Sequence, residues 1–204
     1  MLRVNDVIFT WPGGSPLTYD MTVVPGTVLA LQGPSGVGKT TLLELIAGFE
    51  APQAGEILWQ DQQLNALAPW DRPVTTVFQS DNLFSHLSCI ENVLIGIDAE
   101  RTPSPDVLAA VHASFAQLGL EGLQDRLPTQ ISGGQQQRVA LVRAMMRQKP
   151  ILLLDESFSA LDWDVRTECF DALNTVVRQH NMVAILVSHD ARDSAYLKCA
   201  VHQL

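Results

Sequence analysis

Three stretches hold residue types that could do chemistry. The first is Gly33-Pro34-Ser35-Gly36-Val37-Gly38-Lys39-Thr40-Thr41. Glycines so spaced let backbone N–H groups turn inward around a polyphosphate, at the start of a helix whose partial positive charge favours anions. Lys39 then reaches the β- and γ-phosphates, the Thr40 hydroxyl is placed for Mg²⁺, and Thr41 is next in line for a phosphate contact. The second is Asp155-Glu156, which ends the apolar run Ile151-Leu152-Leu153-Leu154. Adjacent carboxylates at the end of a buried strand are costly unless a cation or hydrogen bonds satisfy them. Facing a phosphate loop, they suit magnesium and a reacting water. The third is Ser132-Gly133-Gly134-Gln135 after Ile131, another anion-binding mouth at a helix N-terminus. One nucleotide loop does not need two such mouths, so the surplus one suggests the nucleotide of a second subunit.

These residues need elements to hold them. Val28 to Leu31 reads as a buried strand feeding the glycine loop, and Leu42, Leu45 and Ile46 leave it at helical spacing, closed by Gly48. Val4 to Phe9 and Thr18 to Val24 alternate as strands around the turn-rich Pro12 to Pro16, which predicts an antiparallel hairpin. Trp11 at its tip is either an aromatic cover or a face on which a purine stacks. Glu56 to Trp59 is a short strand, Asp61 to Asp71 is polar and irregular, and Pro73 to Phe78 is a core strand ending at Gln79. In open α/β sheets ligands sit beyond the carboxyl ends of strands.

From Ser80 to about Lys149 the period turns helical. Ser104 and Pro105 start a helix with apolar Val107, Leu108, Val111, Phe115 and Leu118, stopped by Gly119, after the linker Arg101-Thr102-Pro103. Asp81 to Leu87 is less regular, and its apolar residues either pack locally or form a docking surface. Val139, Val142 and Met146 share a face of the helix after Gln135. Asp162 can cap a helix with the stripe Val165, Cys169, Ala172, Leu173 and Val176. Met182 to Val187 is another buried strand, ending at Ser188-His189-Asp190; a histidine there is either a satisfied polar group or a functional one.

Composition narrows the class. A net charge of −9 with only three lysines argues against a nucleic-acid binder, which carries a basic stripe. No aliphatic run approaches the ~20 residues of a membrane span. Met1 to Asp6 lacks the pattern of a secretion signal. Cys89, Cys169 and Cys199 are odd in number and lack C-x-x-C spacing, so neither a disulfide framework nor zinc is expected, and the compartment is a reducing one such as cytoplasm. The 204 residues suffice for one α/β core with a subdomain.

Taken in order, Trp11, the Gly33 to Thr41 loop, Gln79, Ile131 to Gln135, Ile151 to Glu156, Ser159-Ala160-Leu161-Asp162 and His189 resemble the ATP-binding-cassette (ABC) ATPases over nearly the whole chain. The resemblance implies a single α/β nucleotide-binding domain over 1–204. Its P-loop NTPase core has a mostly parallel sheet, an N-terminal antiparallel β subdomain and an inserted α-helical subdomain. The core would take about 1–79 and 150–204, the helical part about 80–149. It implies roles as well. Trp11 would stack on adenine, while Gly33, Pro34, Ser35, Gly36, Gly38, Lys39, Thr40 and Thr41 would hold the phosphates of ATP. Thr40, Gln79 and, through water, Asp155 would hold Mg²⁺. Glu156 would act as general base, His189 would meet the γ-phosphate, and Gln79 would report nucleotide state to the helical subdomain. Ser132, Gly134 and Gln135 would bind the phosphate held by the other subunit, with Asp162 linking the two sites.

Within the family the likeness is to single-cassette ATPase subunits of bacterial importers, thiamine importers foremost; those for iron, sulfate, molybdate or polyamines share most of the motifs. The implied partners are a second copy of the chain, integral membrane permease subunits and a periplasmic solute-binding protein, with no nucleic acid. The implied place is the cytoplasmic face of the inner membrane. The competing classes are a soluble cassette ATPase acting on a macromolecule, whose tandem cassettes or coiled-coil insertions are missing here, and a small-molecule kinase, which leaves Ser132 to Gln135 unexplained. The chain departs from the family pattern at Ile131, where leucine is usual, and at Ser157, where proline commonly follows the glutamate. Ending at Leu204, it is not expected to carry a regulatory domain.

Overall fold

A computed structural model describes residues 1–97 and 103–204. Of the expected linker, Arg101 and Thr102 lie outside the described residues. The elements run β1 (Leu2–Phe9), β2 (Leu17–Val23), β3 (Thr27–Gln32), α1 (Lys39–Ala47), β4 (Ala54–Trp59), β5 (Gln62–Gln63) and β6 (Val74–Val77). There follow α2 (Cys89–Ile97), α3 (Pro105–Gln117), α4 (Gly133–Met146), β7 (Ile151–Asp155), α5 (Trp163–Gln179), β8 (Val183–Val187), α6 (Ala191–Leu197) and β9 (Ala200–Gln203). Single 3₁₀ turns occupy Pro69–Asp71 and Pro128–Gln130.

Two sheets form. The expected hairpin of β1 and β2 is antiparallel, with Leu2 opposite Val23 and Phe9 opposite Leu17, and it extends to a four-stranded sheet in the order β2-β1-β4-β5. Alternation buries Leu2 and Val4, then resumes on odd positions at Val7 and Phe9 across a register shift where Asp6 adopts φ 46°. The second sheet has the order β6-β7-β8-β3-β9, and β7, β8, β3 and β9 run parallel. β7 and β8 are buried at every residue, the reason they read as unbroken apolar runs rather than as alternation.

The chain divides into two compact units. The first comprises Met1–Thr76, Lys149–Asp155 and Val177–Leu204. Its core gathers Leu42, Leu45 and Ile46 of α1 with Leu29 and Leu31 of β3, Ile185 of β8 and the inward residues of β1 and β2. Arg72, 2% exposed, closes α1 from outside the helix. Its guanidinium donates to the carbonyls of Leu45 (2.7 Å), Ile46 (2.9 Å) and Leu67 (3.1 Å), two of which are terminal helix acceptors. Gly48 ends the helix at φ 88°, lying so close to Arg72 Nε that a Cβ would stand 2.5 Å away.

The second unit comprises Val77–Gln148 and Glu156–Val176, so all of α5 but its last turn groups here with the helical segment rather than with the sheet that follows it. Ser104 caps α3 by accepting from Val107 N at 3.3 Å, and Gly119 follows its end at φ 60°, as the composition there suggests. On α5 the buried stripe holds Cys169, Phe170, Ala172 and Leu173, whereas Val165 and Val176 are half-buried. Phe170 turns the stripe by packing edge-on against Phe158, ring centroids 4.7 Å apart.

Candidate functional site

In the first unit the sheet register aligns the reactive ends. Both Leu31 of β3 and Asp155 of β7 pair with Val187 of β8, so the glycine loop, Asp155 and Ser188-His189 all leave one sheet edge. Lys39 is almost wholly buried and its ammonium donates to the carbonyls of Gly33 and Pro34, each at 2.9 Å. The Thr40 hydroxyl donates to Asp155 Oδ2 at 2.9 Å, joining residues that lie 115 positions apart. Burial, and then the charges of Glu50 and Asp155, hold Glu44 on α1 above its ordinary range. A hydroxyl and a carboxylate are the hard oxygen donors that Mg²⁺ selects. Among the described residues no cluster of three or more His, Cys, Asp or Glu stands as a metal site.

Two aromatic residues support the loop. Trp11 is 42% exposed; its indole N–H donates to Thr41 Oγ1 at 3.3 Å and its ring packs edge-on to Phe9 at 4.9 Å. One end of Trp11 is therefore anchored to the loop while part of the ring stays open. Tyr19, missed in the sequence, lies beneath: its hydroxyl donates to Gly38 O at 2.8 Å. Gly38 has φ 107°, and a Cβ would fall 2.5 Å from that hydroxyl, so only glycine fits there. A tyrosine among inward-facing strand residues is a usable signal, because its buried O–H must find an acceptor. At Gly36 a Cβ would meet nothing within 4 Å, which leaves the loop's own mouth open. His189 is exposed and follows Ser188, whose hydroxyl donates to the buried Asp193 carboxylate at 2.5 Å. Asp193 was another residue the spacing did not reveal.

In the second unit Gln79 Nε2 donates to Glu156 Oε2 at 3.1 Å. Glu156 adopts φ 47°, a left-handed conformation costly for a side chain with a Cβ. Its carbonyl accepts from the Ser159 N–H (3.1 Å) and hydroxyl (2.8 Å), which close the turn. Ser132 and Gln135 form a reciprocal cap on α4: the Ser132 hydroxyl accepts from Gln135 N at 3.3 Å and Gln135 Oε1 accepts from Ser132 N at 2.8 Å. Both side chains are thus fixed at an exposed helix start. Gly134 lies against Leu161, next to Asp162, where a Cβ would come within 3.2 Å of the leucine. Gln79, the residues Ser80 to Leu83, Gly133, Gln136, Gln137 and Ala160 line one cavity of about 270 Å³, so the Gln79 segment and the Ser132 mouth meet across it.

The family described as ABC transporter matches residues 18–159. The chain is 42% identical over 197 residues to the thiamine import ATP-binding protein ThiQ of Chelativorans sp. (strain BNC1), covering 97% of this chain and 80% of that one. It is 40% identical over 195 residues to the protein of the same name from Escherichia coli (strain K12), covering 96% and 84%. Among solved structures it resembles the dimeric ATP-binding cassette MJ0796 in a post-hydrolysis state bound to ADP and Pi, with a TM-score of 0.83 and 26% identity over 96% of this chain and 91% of that one.

Proposed function

The chain belongs to the ABC transporter family, and from that premise we propose that it is the ATP-hydrolysing subunit of a thiamine importer, working as a homodimer beneath a separate membrane permease. The carrying observation is the Thr40 hydroxyl on Asp155, because it joins the phosphate loop to an acidic strand end and so supports an MgATP site there. No described helix is long and apolar enough to cross a membrane, so the chain would reach the cytoplasmic face of the inner membrane by binding the permease. A periplasmic solute-binding protein would deliver the cargo.

The residues divide the work. Backbone N–H groups of the loop and the Lys39 ammonium bind the ATP phosphates, and the open part of the Trp11 ring takes the adenine. Thr40, Asp155 and Gln79 would hold Mg²⁺, which when bound neutralises phosphate charge. Glu156 accepts a proton from the attacking water, with Gln79 steadying its carboxylate, and His189 contacts the γ-phosphate. Ser132, Gly134 and Gln135 bind the nucleotide of the other subunit, and Asp162 connects the two sites. Catalysis is then positioning and charge stabilisation, completed only when two chains close.

The test is reconstitution with the permease in liposomes. Thiamine presented by its binding protein should stimulate ATP hydrolysis. Stimulation by iron, sulfate, molybdate or a polyamine instead would reassign the cargo. Failure to copurify with any multispanning protein would remove the transport role.

A further inference from the structure

Ser157 follows the glutamate to which the proposed function assigns the general base. It is 0% exposed, and its hydroxyl donates to Val77 O at 3.1 Å. Val77 is the last residue of β6, two positions before Gln79, and Gln79 in turn donates to Glu156. These links close a ring. It runs from Glu156 along the chain to Ser157, across the hydroxyl bond to Val77, along the chain to Gln79, and across the amide bond back to the Glu156 carboxylate. Every member lies in the second unit.

The ring has a mechanical consequence. Glu156 sits at φ 47°, where a non-glycine residue stays only if its surroundings over-determine it. The Ser159 contacts to Glu156 O restrain the turn from its far side but do not tie it to β6. The Ser157 hydroxyl supplies that tie. A proline at this position has no side-chain donor and could not make the bond, so the strut belongs to the serine this chain carries. A buried hydroxyl also demands an acceptor, which makes the bond persistent rather than incidental.

We propose that Ser157 is a positioning residue for hydrolysis, its hydroxyl bond to Val77 O holding the Glu156 carboxylate in register with Gln79. The inference rests on Glu156 being the base, and the experiment separates the two. ATP hydrolysis by the purified full-length chain would be measured for Ser157→Ala, Ser157→Thr, Glu156→Gln and the double variant Glu156→Gln with Ser157→Ala. Expected for Ser157→Ala is a kcat lower by about tenfold, with KM for ATP within about twofold of wild type, as suits a small misplacement of a reacting group. Ser157→Thr keeps the hydroxyl and should restore most of kcat. In the Glu156→Gln background the alanine change should add no further loss to the single-turnover rate. Wild-type kcat in Ser157→Ala, or a kcat loss matched by an equal loss of ATP binding, overturns the strut while leaving the base in place. A further loss in the double variant does the same, since the hydroxyl would then act on something other than the carboxylate. Near-normal turnover by Glu156→Gln alone overturns the base assignment, and the strut with it.

Discussion

At Lys39 the ammonium rests on Gly33 O and Pro34 O. Phosphate oxygens would replace those acceptors with charged ones, and a charge-assisted bond is about 1.5–3 kcal/mol in net stabilisation. Lys39→Ala should therefore weaken ATP binding by at least about tenfold; equal affinity by calorimetry would contradict the loop assignment. Glu156→Gln should leave binding intact and slow hydrolysis by at least the ~10²-fold typical of losing a general base. That variant should also hold an ATP-bound dimer long enough to see by light scattering. Two further residues set an alkaline limit. Burial pushes the Tyr19 phenol up from 10.0 to about 12, and the Cys169 thiol from 9.0 to about 12. Between the unfolded and folded values the folded chain keeps protons that the unfolded chain has lost. Stability should thus fall as pH rises from about 9 towards 12. Denaturant midpoints at pH 8 and 11 measure this, and Tyr19→Phe with Cys169→Ala should narrow the gap.

At the scale of elements, α1 is anchored at both ends by residues far away in sequence. Its start meets Tyr19 through Gly38, and its end meets Arg72 through Leu45 and Ile46. Removing the buried guanidinium leaves those carbonyls without their donor, so Arg72→Ala should cost about 3 kcal/mol of folding stability. Arg72→Lys should recover only part, because one ammonium cannot span acceptors on two segments as a planar fork does. Thermal unfolding of the three proteins tests this, and an unchanged midpoint for the alanine variant would deny the anchor. α2 shows the same logic in a loop. Asn92, fully buried, accepts from Phe84 N at 2.8 Å and donates to the carbonyls of Phe84, Leu87 and Ser88, each at 3.0 Å. The segment before α2 is thereby held in one shape.

For the whole molecule, that held segment presents Phe84 at 48% exposure, and an aromatic side chain kept out of the core by fixed backbone suits a docking surface. With the permease as the occupant, Phe84→Glu should abolish thiamine-stimulated turnover in the reconstituted complex while basal hydrolysis by the free subunit stays within about twofold, as a surface change away from the reacting groups should. Loss of both would make Phe84 a packing residue instead. If the chain works as the proposed dimer, assembly should bear equally on rate, and the capped start of α4, with Ser132 exposed and Gln135 half-buried, is the surface that would meet the second copy's nucleotide.

Local spacing by itself determined the phosphate loop, the hairpin, the buried strands before Asp155 and Ser188, and the capped α3, since each depends on residues within a few positions of one another. β5, α6 and β9 were not legible: two residues, one short polar helix and an exposed edge strand carry too little periodicity. α2 was hidden by its apolar run, although Ser88 and Glu91 hold a capping box, Ser88 N donating to Glu91 Oε2 at 2.8 Å, that the S-x-x-E spacing could have disclosed. What only the tertiary structure decided is which distant groups touch. Thr40 meets Asp155 across 115 positions and Ser157 meets Val77 across 80. The first pairing follows from the order in which strands join a sheet, the second also from the need of the buried Ser157 hydroxyl for an acceptor, and neither is written in any single stretch of chain.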